Sequence, residues 1–519
     1  MIILNNLKMN VLGKGKMNKI FKTTVIIMII SMLSKVIGVI QESILGATFG
    51  VGYKTDIYVM CISIVTSIFS IISPTINSAF MPVLMENKDI EKRNKLINNF
   101  ISILIIVCFF ITFFTVLNSD KIIKLIFPSL NTISSFNIAN KCLKIILSSL
   151  VIIALQSIFT VILQAHNKFI IPSLISIVYN VILSIYLITM SNRFGVMGLI
   201  ICVIIANIVQ WIIHIPSYNK MGYKYKFYVD IHDKDMFKII KLSIPIIIGV
   251  SVSQVNIMVD KSLSSYIGVG SMTLMSYANK LNLITFSIIV TTIVTINYPI
   301  LINLKANNKI KQYQKTLIDI INIMCILLIP IIFGIILIKE DIISVLFGYG
   351  NFNSKDITET AKILKFLVPS ILAYGIREIL NKAFYSMHDM KTPMLNSILG
   401  IILNIFLSIL LSKKFGLEGI ALATTISIYV IVILMFISFH KYVNLNYIYI
   451  IQILIKCLTS SIVMYFILKV LYSNMNNGHF LNILLISIFG VLIYFTILYI
   501  LKIEYLDKFL KDFRLKLKL

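Results

Sequence analysis

Charge is what this chain has least of. Only 13% of its 519 residues are Asp, Glu, Lys or Arg, 58% are apolar, and the mean hydropathy is +0.95. A water-soluble domain cannot cover that much apolar side chain with so little polar surface, so the solvent is lipid. Tryptophan occurs once, which leaves aromatic anchoring at the membrane interface to the 24 tyrosines. The six cysteines (Cys61, Cys108, Cys142, Cys202, Cys325 and Cys457) lie scattered in apolar runs, and no pair has redox or metal-ligand spacing. The six histidines (His166, His214, His232, His388, His440 and His479) show no metal spacing either. No Walker-type glycine loop is present, so the chain is not expected to hydrolyse ATP. With no catalytic constellation, no metal and no cofactor expected, an embedded enzyme is the least favoured class.

Acidic residues are scarcer than basic ones, 21 against 47. In a soluble protein such an excess would suggest nucleic acid. Here the positive-inside rule accounts for it, because the basic residues gather in alternate loops: Lys88–Lys95, Lys220–Lys241, Lys305–Lys315 and the tail Lys502–Lys518. Lys8, Lys14, Lys16, Lys19 and Lys22 precede the first apolar run, which is too long for a signal peptide and reads as a first span starting in the cytoplasm.

Windows of span length predict an all-α polytopic membrane protein with about 14 transmembrane helices. They cover 23–49, 55–84, 97–117, 143–165, 169–190, 196–216, 239–264, 272–302, 316–338, 360–386, 393–412, 419–439, 448–470 and 480–501. An even count places both termini in the cytoplasm.

Proline and glycine reveal an internal repeat. His166 to Pro172, followed by Arg193-Phe-Gly-Val-Met-Gly198, recurs as His388 to Pro393, followed by Lys414-Phe-Gly-Leu-Glu-Gly419. Both copies start in an inside loop, so the repeat is parallel and its axis runs along the membrane normal. This predicts two six-helix lobes, 1–217 and 239–440, a basic cytoplasmic linker at 218–238, and two further helices with a basic tail at 441–519. Gly38, Gly46, Gly50, Gly52, Pro74, Pro245 and Gly249 mark where spans bend.

Against this apolar background seven ionisable residues stand inside spans: Lys35, Glu42, Asp260, Lys261, Lys280, Arg377 and Glu378. Each costs ~2.5–3.5 kcal/mol at bilayer depth even on lenient scales, so they need a shared interior or a watery cavity. Lys35 and Glu42 are two helical turns apart on one face. Glu378 with Lys382 also reads as ordinary helix pairing, Lys280 as a structural partner of Asp260, and Lys35 as a side chain reaching for the interface. Basic residues outnumber acidic ones in this set, which suits a substrate bearing phosphate rather than a cationic drug.

Several motifs carry a family resemblance over nearly the whole chain. They are Ser34-Lys-Val-Ile-Gly-Val-Ile-Gln-Glu42 leading to Phe49-Gly and Thr55-Asp56; Ala79-Phe-Met-Pro-Val83; Asp260 with Ser276-Tyr-Ala-Asn-Lys-Leu281; Leu346-Phe-Gly-Tyr-Gly-Asn-Phe352; and Ala383 to Pro393. The chain resembles the MurJ/MviN-type lipid II flippases of the multidrug/oligosaccharidyl-lipid/polysaccharide exporter superfamily. The resemblance implies a V-shaped fold in the bacterial cytoplasmic membrane, with a cationic cavity for the diphosphate of undecaprenyl-linked peptidoglycan precursor. It implies alternating access driven by a sodium or proton gradient or the membrane potential, and cell-wall synthesis machinery as a partner besides membrane lipids. By motif, Lys35, Gln41, Glu42, Lys280 and Arg377 line the substrate site, with Asp56, Lys261 and Glu378 in support. Asp260 matches a coupling-cation acid whose partner is Asn396 or Asn404, and the last two spans offer a groove for the prenyl tail. The chain departs from the family pattern where Gln41 replaces a basic residue, where the neighbourhood of Ile68 lacks an arginine, and where lysine replaces arginine at 35 and 280. Exporters of another polyprenyl-diphosphate glycan and cation-coupled multidrug exporters are the alternatives, followed by a non-transporting scaffold for envelope assembly.

Overall fold

In lipid every backbone N–H and C=O has to be satisfied within the chain, and a helix does this locally. The computed structural model is helical throughout, with no strand among the described residues. It describes residues 14–87, 89–130, 132–475 and 478–503. Lys8 and the tail beyond residue 503 lie outside them, as do the side chains of Lys14, Lys16, Lys19 and Lys22.

The chain divides into two compact units. The first comprises residues up to Thr48, Cys61–Lys124 and Thr132–Ser251; the second comprises Phe49–Met60, Leu125–Asn131 and Val252 onward. The helices, in chain order, begin with α1 (Lys14–Phe49), α2 (Tyr53–Thr75), a π-helical turn (Ile76–Phe80), α3 (Met81–Glu86), α4 (Ile90–Leu117) and α5 (Ser119–Ile126). Then come α6 (Ile133–Leu147), α7 (Ser149–Ala165), α8 (Ile170–Thr189), α9 (Ser191–Asn219) and α10 (Lys234–Ile267). The rest are α11 (Ser271–Ala306), α12 (Ile310–Leu337), α13 (Lys339–Phe347), α14 (Ser354–Leu367), α15 (Ser370–Ser386), α16 (Lys391–Phe439), α17 (Tyr447–Ser473) and α18 (His479–Ile500).

Among the described residues, twelve helical stretches are long and apolar enough to cross a membrane, by length and composition. They differ from the expected windows at two places. The window 360–386 is two helices, α14 and α15, because Pro369 at the junction cannot donate a backbone hydrogen bond. The windows 393–412 and 419–439 run on as α16, which is interrupted only at Gly416 (φ 59°, ψ −133°). Pro74 precedes the π-helical turn, a backbone irregularity that fits the bend expected there.

The repeat is written into the backbone. Gly195 (φ 57°, ψ −148°) breaks the helical course of α9 as Gly416 breaks α16. Asn167 (φ 59°) and His388 (φ 61°) both take the left-handed conformation. Each ends its helix with the same six-to-one closure: Lys168 N–H donates to Leu163 O at 2.8 Å, and Asp389 N–H to Phe384 O at 3.0 Å. The structural equivalent of His388 is therefore Asn167, at the same 221-residue offset that relates Pro172 to Pro393 and Gly195 to Gly416. The first unit packs its apolar core around Phe80, Phe100, Leu150 and Ile158, and the second around Met324, Ile371, Phe384 and Phe439.

Candidate functional site

Packing is uneven among the spans. Only 6% of the apolar stretch of α1 and of α10 is buried, and 11% of α11, against 22–50% in the other candidate spans. These three loosely packed helices carry most of the intramembrane charges.

In the first unit, Lys35 is exposed and Glu42 half-buried on α1. Gln41 is buried, with its Nε2 lacking a hydrogen-bond partner among the described residues. Gly38 brings this helix close to α8: a Cβ there would stand 3.1 Å from Asn180 Nδ2, a polar group the sequence reading did not single out.

The second unit gathers the rest. Asp56, fully buried near the start of α2, caps α11. Its carboxylate accepts from Gly270 N–H (2.5 Å), Thr273 N–H (2.9 Å) and the Thr273 hydroxyl (2.5 Å). This is a helix N-terminus satisfied by an acid from elsewhere in the chain. The segment leading into it is tight. Thr55 Oγ1 donates to Gly50 O at 2.7 Å, and Gly50 (φ 62°) approaches Asn351 O so closely that a Cβ would lie 2.6 Å away. The carboxylate of Asp56 is thereby occupied, even though Lys261 is within its electrostatic reach.

Lys261, half-buried on α10, is also within electrostatic reach of Asp260 and Lys280. The ammonium of Lys280 stands 5.8 Å over the Tyr277 ring. Tyr374 of α15 lies within electrostatic reach of both Asp260 and Arg377. The guanidinium of Arg377 donates from Nη2 to Ser397 Oγ at 3.3 Å, and its Nε is buried without a hydrogen-bond partner among the described residues. Glu378 pairs with Lys382 at 3.4 Å one turn on, and the Lys382 ammonium lies 5.4 Å over Tyr298 and 5.7 Å over Tyr385. The structure thus places Glu378 in a helix pair, apart from the Asp260–Lys261–Lys280 group.

Asp260 Oδ1 accepts from Ser408 Oγ at 3.1 Å. Ser408 is not singled out by the sequence, although it ends a row at four-residue spacing on α16: Asn396, Gly400, Asn404, Ser408. Asn404 is one turn, about 6 Å, from Ser408, whereas Asn396 is about 18 Å along the helix. Asn404 Nδ2 reaches Thr424 Oγ1 at 3.4 Å and its Oδ1 is buried with no partner among the described residues. Asn396 Nδ2 is engaged with Ser438 Oγ at 3.2 Å. An oxygen-rich corner of carboxylate, hydroxyl and amide suits a hard cation. No cluster of three or more His, Cys, Asp or Glu side chains able to hold a metal ion occurs among the described residues.

Comparison with known proteins gives one consistent result. A family model described as lipid II flippase MurJ matches residues 45–490. A probable lipid II flippase MurJ of Buchnera aphidicola subsp. Acyrthosiphon pisum is 27% identical over 510 residues, covering 95% of this chain and 99% of that one. Its counterpart in Vibrio cholerae is 25% identical over 436 residues, covering 81% and 83%. Among solved structures, a lipid II flippase MurJ in an inward closed conformation superposes with a TM-score of 0.80 at 24% identity, covering 92% of this chain and 98% of that one. An inward-facing multidrug MATE transporter of the MOP superfamily shares the fold more distantly, with a TM-score of 0.67 at 12% identity and coverage of 80% and 97%.

Proposed function

The chain belongs to the lipid II flippase MurJ family, and from that premise we propose how its own residues carry the lipid. It is a multi-pass membrane transporter, not an enzyme, and it translocates lipid II, the lipid-linked peptidoglycan precursor. The observation that carries the residue-level reading is the second unit's charge group. Asp56 caps α11, and three cations, Lys261, Lys280 and Arg377, stand in the second unit's charge group with Asp260. Three cations gathered in this way fit a passing diphosphate.

In this reading the diphosphate-binding cations are Lys280 and Arg377 in the second unit and Lys35 in the first. Lysine retains charge at 35 and 280 but binds as a point, without the planar fork of arginine. Glu42 neutralises one of these cations when the substrate is absent, and Gln41 offers its free buried amide N–H to the substrate. The coupling cation belongs at Asp260, Ser408 and Asn404, where the unpartnered Asn404 Oδ1 supplies a ligand. Occupancy there would compete with Lys261 for the Asp260 charge and so link cation binding to this charge group. Both termini are assigned to the cytoplasm from the distribution of basic loops.

A cation-coupled multidrug exporter would need acids in excess in the same place, and the lysines argue against it. The test is complementation of a flippase-depleted bacterium. Lys280→Ala and Glu42→Ala, expressed and inserted, are expected to fail, and normal growth of both refutes the assigned roles.

A further inference from the structure

The chain between α9 and α10, residues 220–233, is strapped along one edge of α4. Asn94 Oδ1 accepts from Lys224 N–H (3.3 Å), and Asn98 Nδ2 donates to Lys224 O (3.2 Å). Asn99 exchanges two bonds with the Asp230 backbone (2.7 and 2.8 Å), and Ser102 Oγ accepts from Tyr228 N–H (3.2 Å). Tyr223 is buried and its hydroxyl meets His166 Nε2 at 3.1 Å. A row of side chains on a membrane helix thus does for this segment what a neighbouring strand would do, and fixes which residues face outward.

The sorting of charge is one-sided. Asp230 is taken up by the Tyr228 hydroxyl and His232 N–H, Asp233 by the N–H groups of Asp235 and Met236, and Asp235 by Asn87 Nδ2. Lys238 pairs with Glu86 at 2.6 Å, and Lys95 sits 5.2 Å over the Tyr228 ring. Lys220, Lys224, Lys226 and Lys234 are exposed. Between and beside them Phe227 is 66% exposed, Ile231 60% and Phe237 64%. Exposed aromatic and aliphatic side chains rimmed by lysines mark an interaction surface. Both ends of the strap continue into membrane-spanning helices, so this surface lies at the level of the lipid headgroups.

We propose that the strap is a docking surface for anionic lipid headgroups of the bilayer that holds the protein. Lys224 and Lys226 bind the phosphates, and Phe227, Ile231 and Phe237 sink below them. Apolar side chains at the headgroup boundary and lysines reaching outward are the two halves of an interfacial anchor. The occupant follows from charge complementarity and from the strap's continuity with α9 and α10. Because α4, α9 and α10 all meet the strap, anionic lipid would brace this end of the first unit.

All six native cysteines are buried, so Phe227→Cys in the full-length protein can be labelled selectively with an environment-sensitive fluorophore. The labelled protein is reconstituted in phosphatidylcholine bilayers with and without phosphatidylglycerol, and its quenching by brominated lipid is read. Blue-shifted emission and lipid quenching that depend on phosphatidylglycerol are expected. Adding Lys224→Gln with Lys226→Gln should lower the docked-to-undocked ratio about 30-fold. The same label placed by Ile231→Cys repeats the measurement if the first variant is poorly made. Water-like emission in both bilayers overturns the proposal, as does quenching indifferent to phosphatidylglycerol and to the lysines. A label exposed in lipid but shielded in native membranes assigns the surface to a protein and overturns it too.

Discussion

Asp56 and Thr273 are joined twice: the carboxylate takes both the backbone N–H and the side-chain hydroxyl of the threonine, 217 positions away in the chain. This relationship fixes the first turn of α2 within the second unit, while the same helix from Cys61 onward belongs to the first. Asp56→Ala strands the N–H groups of Gly270 and Thr273 in a buried place, at about 1–3 kcal/mol. Asp56→Asn keeps an acceptor and should cost less, and Thr273→Val, which removes one bond of three, less again. Thermal unfolding of the purified variants in detergent checks this order, and equal midpoints for wild type and Asp56→Ala would contradict it.

Gly195 and Gly416 occupy a region of backbone space open in practice only to glycine, and a Cβ at either would meet nothing within 4 Å. The cost of Gly195→Ala and of Gly416→Ala is therefore backbone strain alone, of order 1–3 kcal/mol for each. Similar losses of thermal stability are expected from the two, and a loss at only one site would contradict their equivalence.

Asp389 lies in the turn before α16. Burial pushes its pKa upward, but bonds from the Thr392 hydroxyl and N–H, the Tyr442 hydroxyl and Lys391 N–H outweigh that and hold it down at about 2. Its folded pKa is depressed, so the stabilisation is complete above the ordinary carboxylate range. It is lost as the pH falls from about 4 through about 2. Tyr442→Phe removes the 2.8 Å bond and should weaken this loss of stability on acidification. Unfolding midpoints at pH 5 and 3 (about two units of pH apart) measure it, and an unchanged pH dependence would contradict the assignment.

Ser408→Ala and Asn404→Ala are each expected to raise the cation concentration needed for half-maximal transport about tenfold, the loss of one hydrogen-bond-sized contact. Asn396→Ala, on the same helix face but about 18 Å away, should leave it unchanged. A titration with sodium in proteoliposomes separates the three, and a larger effect at Asn396 would contradict the proposed cation site.

Much of this molecule is legible in its sequence because lipid leaves few options. The apolar windows map onto helices, and Pro172/Pro393 with Gly195/Gly416 disclose the repeat, because proline and glycine impose backbone geometry wherever they stand. What escaped was tertiary. Ser408 looks like any small polar residue in an apolar run until Asp260, 148 positions away, is brought against it. Asp56 belongs to a recognisable motif, yet nothing local says that it caps a distant helix. The strap carries basic residues that read as a linker; only the row Asn94, Asn98, Asn99 and Ser102 on the facing helix shows that it is held in place. Asn167 and His388 share the 221-residue offset of the prolines and glycines although their side chains differ, because the left-handed turn constrains the backbone and not the residue's identity.

The central claim, that this chain carries lipid II across the membrane, is tested most directly by making it the only lipid II flippase in a cell and measuring lipid II accessible at the outer face. Accessible lipid II restored by the wild-type chain, and not by Lys280→Ala at equal membrane abundance, is the expected result. Lipid II that stays confined to the inner face while the wild-type chain is present in the membrane would contradict it.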